Sequence, residues 1–269
     1  MLIMCGVTAH AQKKSSRKSK EADSLAIIRE FVQVCNMYRE LPLQLDLELH
    51  NSTNFITGIA DTASTQAQFI LEKNASYIHF GEIEQFVNDS VALLVSSHLQ
   101  KMILYTDVRP MLSQLKAMAG WHLKDSSVED ISEKYKVLKR YSGNDTVTIE
   151  LANRLSVYGG LPPRETIVLQ YDPKTNVPFK IMTIKRTLIT LTQEDYNKVS
   201  EQTGFSDKLL APEGKGYFLV KEQQGTFLYK SVSHEQVKTR VTINERIIKN
   251  GQGEYLPARG YETYQVILN

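Results

Sequence analysis

Cysteine is almost absent from this chain of 269 residues, and tryptophan occurs once. Cys5 lies in the extreme N-terminal segment, which leaves Cys35 without an intramolecular partner, so no disulfide framework is expected. Cys35 falls on a helical apolar stripe and reads as a small core residue rather than a nucleophile. Long apolar runs are missing too. Past the N-terminus no uninterrupted stretch approaches the ~20 residues that a membrane-spanning helix needs. An excess of positive charge is also lacking. The chain holds 32 Lys and Arg against 30 Asp and Glu, and five of those bases, with no acid, sit in the first twenty residues. The remainder has net charge −3, which argues against nucleic acid as a partner.

The usual catalytic patterns are equally scarce. There is no G-x-S-x-G elbow, and the neighbourhood of Lys215 and Gly216 lacks the spacing of a phosphate-binding loop. The six histidines (His10, His50, His79, His98, His122, His234) contain no H-x-x-x-H pair for a helix-borne metal. His79 with Glu82 and Glu84 is the nearest local cluster, and on one uninterrupted strand His79 would face away from both glutamates. The chain is therefore expected to be non-enzymatic, with no catalytic residue, no metal and no cofactor. A carboxylate pair of the glycosidase kind, which meets only in the fold, stays open. No repeat of fixed period is present.

What is present begins with a short apolar stretch, Leu2 to Val7, running into Ala9-His10-Ala11. Small residues at these positions suit signal peptidase, so residues 1–11 read as a signal segment and the protein as exported to the periplasm or cell envelope. Residues 12–20, which include KKSSRKSK, read as a solvated basic linker. In EADSLAIIREFVQVCNMYRE the apolar residues Leu25, Ile28, Phe31, Val32, Cys35 and Tyr38 recur at helical spacing. Asp23 or Ser24 can cap that helix and Pro42 ends it.

Beyond it the period shifts to two. QAQFILE, SYIHFGEIEQFV, SVALLVS and LQKMILY are short strands of a meander, with turns at Lys73-Asn74, Gly81 and Asn88-Asp89. Several carry apolar residues on both faces and need cover on both. Pro110 opens a second helical stretch that Gly120 closes, and SSVEDISEKY offers a third. DTVTIEL, ETIVLQY, FKIMTIK and TLITLT resume the strands, and a short helix fits Gln193–Gln202. GYFLVK, GTFLYKS, TRVTINERI and YETYQVIL follow as four further strands, with turns at Gly225 and at NGQG. These last strands form either an appended sheet or an extension of the main one. The class expected is α+β, mainly β.

The order of these pieces resembles the outer-membrane lipoprotein carrier family, the LolA-like proteins. A long amphipathic helix precedes FILEKNASYIHFGEIEQFV and LQKMILYTDVRP, a helical insert follows, and YKVLKRYSGNDTVTIELANR and ETIVLQYDPKTNVPFKIMTIK close the set. Tyr171-Asp172 before a return strand containing Pro178 fits the family's strand, Asp turn, strand pattern. The resemblance covers residues 21–192, and 193–269 is a C-terminal β extension beyond it. It implies an incomplete antiparallel barrel, a half-barrel with a helical lid, that holds an apolar ligand or a lipidated protein. It also implies that Phe31, Phe69, Tyr77, Phe80 and Trp121 help line the cavity. The alternative is a structural or protein-interaction component of the envelope, its sheet filled by its own side chains and its C-terminal strands serving a protein partner by edge pairing. A hydrolase ranks third. Four Asp-hydroxyl-apolar triplets, at Asp23, Asp61, Asp89 and Asp145, resemble the O-glycan acceptor motif of Bacteroidota and equally suit turn and cap chemistry.

Overall fold

A computed structural model describes residues 23–36, 40–108, 128–143, 145–159, 162–202, 204–236 and 241–269. Tyr38, Trp121, the Pro110–Gly120 stretch and the N-terminal signal and linker segments lie outside them. The described residues are mainly β. The elements in chain order are α1 (23–36), β1 (Leu43–Thr53), β2 (Ser64–Leu71), β3 (Ser76–Phe80), β4 (Ile83–Val87), β5 (Ala92–Ser96), β6 (Lys101–Tyr105), α2 (Val128–Lys134), β7 (Tyr135–Ser142), β8 (Val147–Asn153), β9 (Glu165–Tyr171), β10 (Pro178–Leu191), α3 (Gln193–Ser200), β11 (Leu209–Leu210), β12 (Tyr217–Ser233), β13 (Ile247–Lys249), β14 (Tyr255–Pro257) and β15 (Gln265–Leu268).

One large sheet runs in the order β15-β6-β5-β4-β3-β2-β1-β12-β10-β9-β8-β7, with β11 added to β12. It is antiparallel except where β15 joins β6 in parallel, and its edge strands β15 and β7 do not pair, so it is not closed into a barrel. The meander and its turns match the spacing of the sequence. Gly81 at φ +57° occupies the first position of a two-residue turn, flanked by the pair Phe80 and Ile83. That is the primed geometry that suits strand twist and favours glycine.

Four expectations change. Residues 43–53, which follow Pro42, form a strand that the sequence reading passed over. Leu43, Leu45 and Leu47 are buried and alternate with Gln44, Asp46 and Glu48, a pattern as regular as any in the chain. FKIMTIK and TLITLT are one strand, β10, because Arg186 between them is not at a turn. Its guanidinium reaches Glu222 Oε1 at 2.6 Å, the Pro163 carbonyl at 3.0 Å and Thr166 Oγ1 at 3.0 Å. GYFLVK and GTFLYKS are likewise one strand, β12, with Gly225 in extended backbone at its middle, paired to Asn51 and Thr183. Of the described residues in TRVTINERI, only Ile247 belongs to a strand. Glu245 accepts from the Thr242 amide and hydroxyl at 2.9 and 3.1 Å and winds Ile243–Glu245 into a 3-10 turn instead.

β12 lies between β1 and β10, so the chain past residue 192 adds strands to the main sheet, its centre included. Burial divides the molecule into three apolar clusters. In the first, Ile28, Phe31, Val32 and Val34 of α1 and Ile131 of α2 pack on Val147, Ile149, Leu151, Ile167, Leu169, Ile181 and Phe227. Glu30, off the apolar stripe of α1, ties the helix down. It accepts a two-pronged bond from Arg140 at 2.8 and 2.9 Å and another from the Tyr171 hydroxyl. The second cluster joins Leu43, Leu45, Leu47, Phe69, Leu71, Ile78 and Val87. The third lies on the opposite face of the meander and joins Tyr77, Phe86, Leu93, Val95, Met102 and Leu104 to Ile247, with Ile243, Tyr255, Tyr261 and Tyr264 against it. Arg246 pins that cover, with Nε 2.5 Å from Glu84 Oε2 and its second prong 2.9 Å from Oε1.

Candidate functional site

A cleft of about 1080 Å³ opens among the described residues. β1 contributes Asp46 to Glu48, β2 contributes Ser64 to Gln68, and two hairpin tips contribute His79 to Ile83 and Ser96, His98 and Leu99. Lys230 enters at an irregularity in register, where Asp46 faces Ser231 but Leu47 faces Tyr229. Such a bulge places an extra side chain where the ladder offers none.

Strand alternation gives the cleft two characters. Asp46, Glu48, Gln66, Gln68 and His79 share one face, as their cross-strand pairing requires. They are knitted together. Gln68 donates to Asp46 Oδ1 at 2.9 Å, Ser231 donates to Asp46 Oδ2 at 2.5 Å, and Lys230 lies 2.9 Å from Glu48. The Lys230 contact holds the Glu48 carboxyl below its ordinary range. The second character is apolar. Phe80, Ile83 and Leu99, from the hairpin tips, are 38, 43 and 61% exposed and all line the cleft.

The site residues expected from the sequence do not converge on one cavity. Phe31 is closed into the α1 cluster and Phe69 into the second, while Tyr77 joins the third and borders a separate, smaller cavity of about 180 Å³. Burial pushes the Tyr77 hydroxyl up to about 12. Phe80 alone of the described four opens on the cleft, and Trp121 lies outside the described residues. The cleft has no α1 residue in its lining. Cys35 packs against the α1 cluster, and burial raises its thiol to about 12, far from a thiolate nucleophile.

His79 and Glu84 prove to be direct cross-strand neighbours. The turn at Gly81 folds the run back, and the single-strand assumption behind the opposite expectation fails there. Among the described residues, no three His, Cys, Asp or Glu side chains gather into a possible metal site. Ser64, His50 and Glu48 do lie in a row, with Ser64 Oγ 2.9 Å from His50 Nδ1 and Glu48 3.5 Å from Nε2. The second distance is too long for a directed relay, and Glu48 is already engaged by Lys230. The row is a cross-strand polar set on an open surface.

Sequence reasoning missed a second polar cluster. Asp61 and Lys221 form a buried ion pair at 2.7 Å. Asp61 also accepts from the Thr57 amide and hydroxyl at 2.7 and 3.0 Å, the Gly58 amide at 3.2 Å and the Gln223 amide at 3.1 Å. Lys221 and these neighbours hold its carboxyl far below the ordinary range. No local signal announces a pair whose members stand so far apart in the chain.

No family model matches the chain, and no curated protein is similar to it. Among solved structures, a LolA superfamily protein from Nitrosomonas europaea is similar at TM-score 0.25 and 9% identity, over 80% of this chain and 94% of that one. A DUF1329 family protein from Desulfovibrio piger is similar at TM-score 0.29 and 10% identity, over 80% and 94% of the two chains. At these scores neither carries a ligand or a site across to this chain.

Proposed function

We propose that this protein is an exported, non-enzymatic binding module that holds an amphipathic ligand, a lipid or a lipidated protein, in the cleft at the hairpin end of the sheet. The observation that carries the reading is the exposure of Phe80, Ile83 and Leu99 around one opening of about 1080 Å³, at the upper end of the range typical of ligand sites. Apolar side chains left in water at a concave surface gain when a ligand covers them, by roughly 25 cal/mol per Å² of apolar area. The Asp46-Gln68-His79 wall then faces the ligand's polar part and sets its orientation. The half-barrel and helical lid implied by the resemblance belong to the same proposal, as does export with loss of residues 1–11.

Titration of the purified chain with a fluorescent fatty acid tests the reading. Saturable uptake that Phe80→Asp reduces at least tenfold is the expected result. Uptake absent from wild type, or indifferent to that change, removes the proposal. Among the described residues, no helix is long and apolar enough to cross a membrane.

The filling of the α1 cluster by Phe31 and its neighbours favours a second reading, that of a structural envelope component. In that case wild type takes up no probe, and cross-linking in the native envelope traps a protein neighbour at β7 or β15, the two edges of the sheet.

A further inference from the structure

A smaller cavity of about 230 Å³ lies over the middle of β12, apart from the cleft. Its construction follows from register. Gly225 is paired on one side with Asn51 and on the other with Thr183. In the next row Gln223 is paired with Thr53 and Lys185, and on the other flank Phe227 is paired with Leu49 and Ile181. The central strand therefore drops its side chain at one point while its neighbours keep theirs. A glycine inside a strand commonly marks a place where something else approaches the backbone. A Cβ built on Gly225 would sit 3.4 Å from Thr183 Oγ1 and 3.7 Å from Asn51 Oδ1. Ordinary packing would admit an alanine here, so glycine leaves open a space that the fold does not require.

The walls have a definite polarity. Phe227 closes one end. At the other, Gln223 leads to Asp61, whose charge is matched by Lys221. Thr183 is 5% exposed, its side chain borders the cavity, and its hydroxyl has no partner among the described residues. Lys185 also borders the cavity and forms no ion pair with another described residue. Its cross-strand neighbour Glu165 accepts from the Tyr135 hydroxyl at 2.5 Å and does not line the cavity. The polar groups that face this space without a protein partner among the described residues are the ammonium of Lys185, an exposed residue, and the hydroxyl of Thr183.

We propose that this pocket binds a carboxylate, with one oxygen on the Lys185 ammonium and the other taking the Thr183 hydroxyl proton. Its volume is several times the ~30 Å³ that a water molecule occupies in the liquid, which suits the head of an organic acid and a short stem against Phe227. The acid can be a short free one, or the carboxylate end of a longer chain whose tail leaves through the mouth.

A titration of the ¹⁵N-labelled chain with sodium propionate, and separately with sodium octanoate, at ionic strength matched by sodium chloride, decides the matter. Octanoate also shifts amides of the cleft around Phe80; in the propionate titration, saturable shifts confined to amides 51–53, 183–185 and 223–227, with Kd on the order of 1 mM for so few contacts, are the expected result. Gly225→Ala puts a methyl group 3.4 Å from Thr183 Oγ1, in the path of a carboxylate to that hydroxyl, keeps the melting temperature of wild type and abolishes saturation. Lys185→Gln weakens binding about tenfold, the scale of one charge-assisted hydrogen bond. Phe80→Asp, in the cleft, leaves the propionate titration unchanged, which separates the two sites. Preference for propionate identifies a short free acid, and preference for octanoate identifies the head of a longer one. Shifts equal to those of sodium chloride alone, or an unaltered titration by Gly225→Ala, would overturn the assignment.

Discussion

At the scale of single residues, two phenylalanines of equal standing in the sequence have different surroundings. Phe31 is 1% exposed among the side chains of two helices and four strands, and Phe80 is 38% exposed beside a tight turn. Phe31→Ala should therefore cost about 3–5 kcal/mol, the usual range for a closed aromatic, and Phe80→Ala clearly less. Urea midpoints of the two variants check the order. Equal losses would mean that Phe80 is core and the cleft is not open. The stripe of Ile28, Phe31 and Val32 was legible because helical period and burial are both local properties. Exposure at Phe80 was not, since it depends on where the Gly81 turn ends the neighbouring strands. Asp61 and Lys221 were illegible for a stronger reason. Each looks like an ordinary surface charge until the sheet brings 160 residues of separation down to 2.7 Å.

At the scale of elements, turns made by glycine or asparagine were readable where the backbone needs them. Gly81 takes a positive φ, and Asn250 organises the β13–β14 turn by accepting from the Gln252 and Glu254 amides. Gly225 has the same letter and the opposite role, because only its partners on β1 and β10 reveal that the strand continues through it. β1 was passed over although its alternation is regular, because Gln, Asp and Glu on its outer face depress strand propensity. The cover on the third cluster depends on one fork. Arg246 bonds both oxygens of Glu84 and stacks 5.0 Å from the Tyr261 ring and 5.6 Å from the Phe86 ring. Arg246→Ala would leave Glu84 without its counter-ion in a half-buried setting. A loss of about 2–3 kcal/mol is expected, below that of a fully buried pair. Hydrogen exchange should show residues 241–268 opening before β8 and β9. Uniform exchange across both regions would show that the fork is not what holds this segment.

At the scale of the whole molecule, the charged groups that join distant elements share one sign of pH response. Asp61 bridges the β1–β2 connection to β12, Glu30 bridges α1 to β7 and β9, and Glu222 bridges β12 to β10 through Arg186. Burial pushes the Glu30 and Glu222 carboxyls up, but Arg140 with Tyr171, and Arg186 with Lys208, outweigh it and hold both below the ordinary range. Asp61 is held lower still, by Lys221 first. A carboxyl depressed in the folded state contributes its full stability above the unfolded value, about 4. That contribution drains as pH falls toward the folded value, because the unfolded chain then binds protons that the folded chain refuses. The molecule should thus lose stability steadily below pH ~4. Asp61→Asn isolates one share of that loss. At neutral pH the variant leaves the Lys221 ammonium buried opposite a neutral amide and is less stable than wild type. As acid protonates Asp61 in the unfolded wild-type chain, wild type gives up the same advantage, so the gap between the two proteins narrows steadily as pH falls below ~4. Urea unfolding of both at several pH values measures that gap. One that stayed constant on acidification would show that the carboxylate charge of Asp61 does not hold β12 to the β1–β2 connection, and that hydrogen-bond geometry alone does.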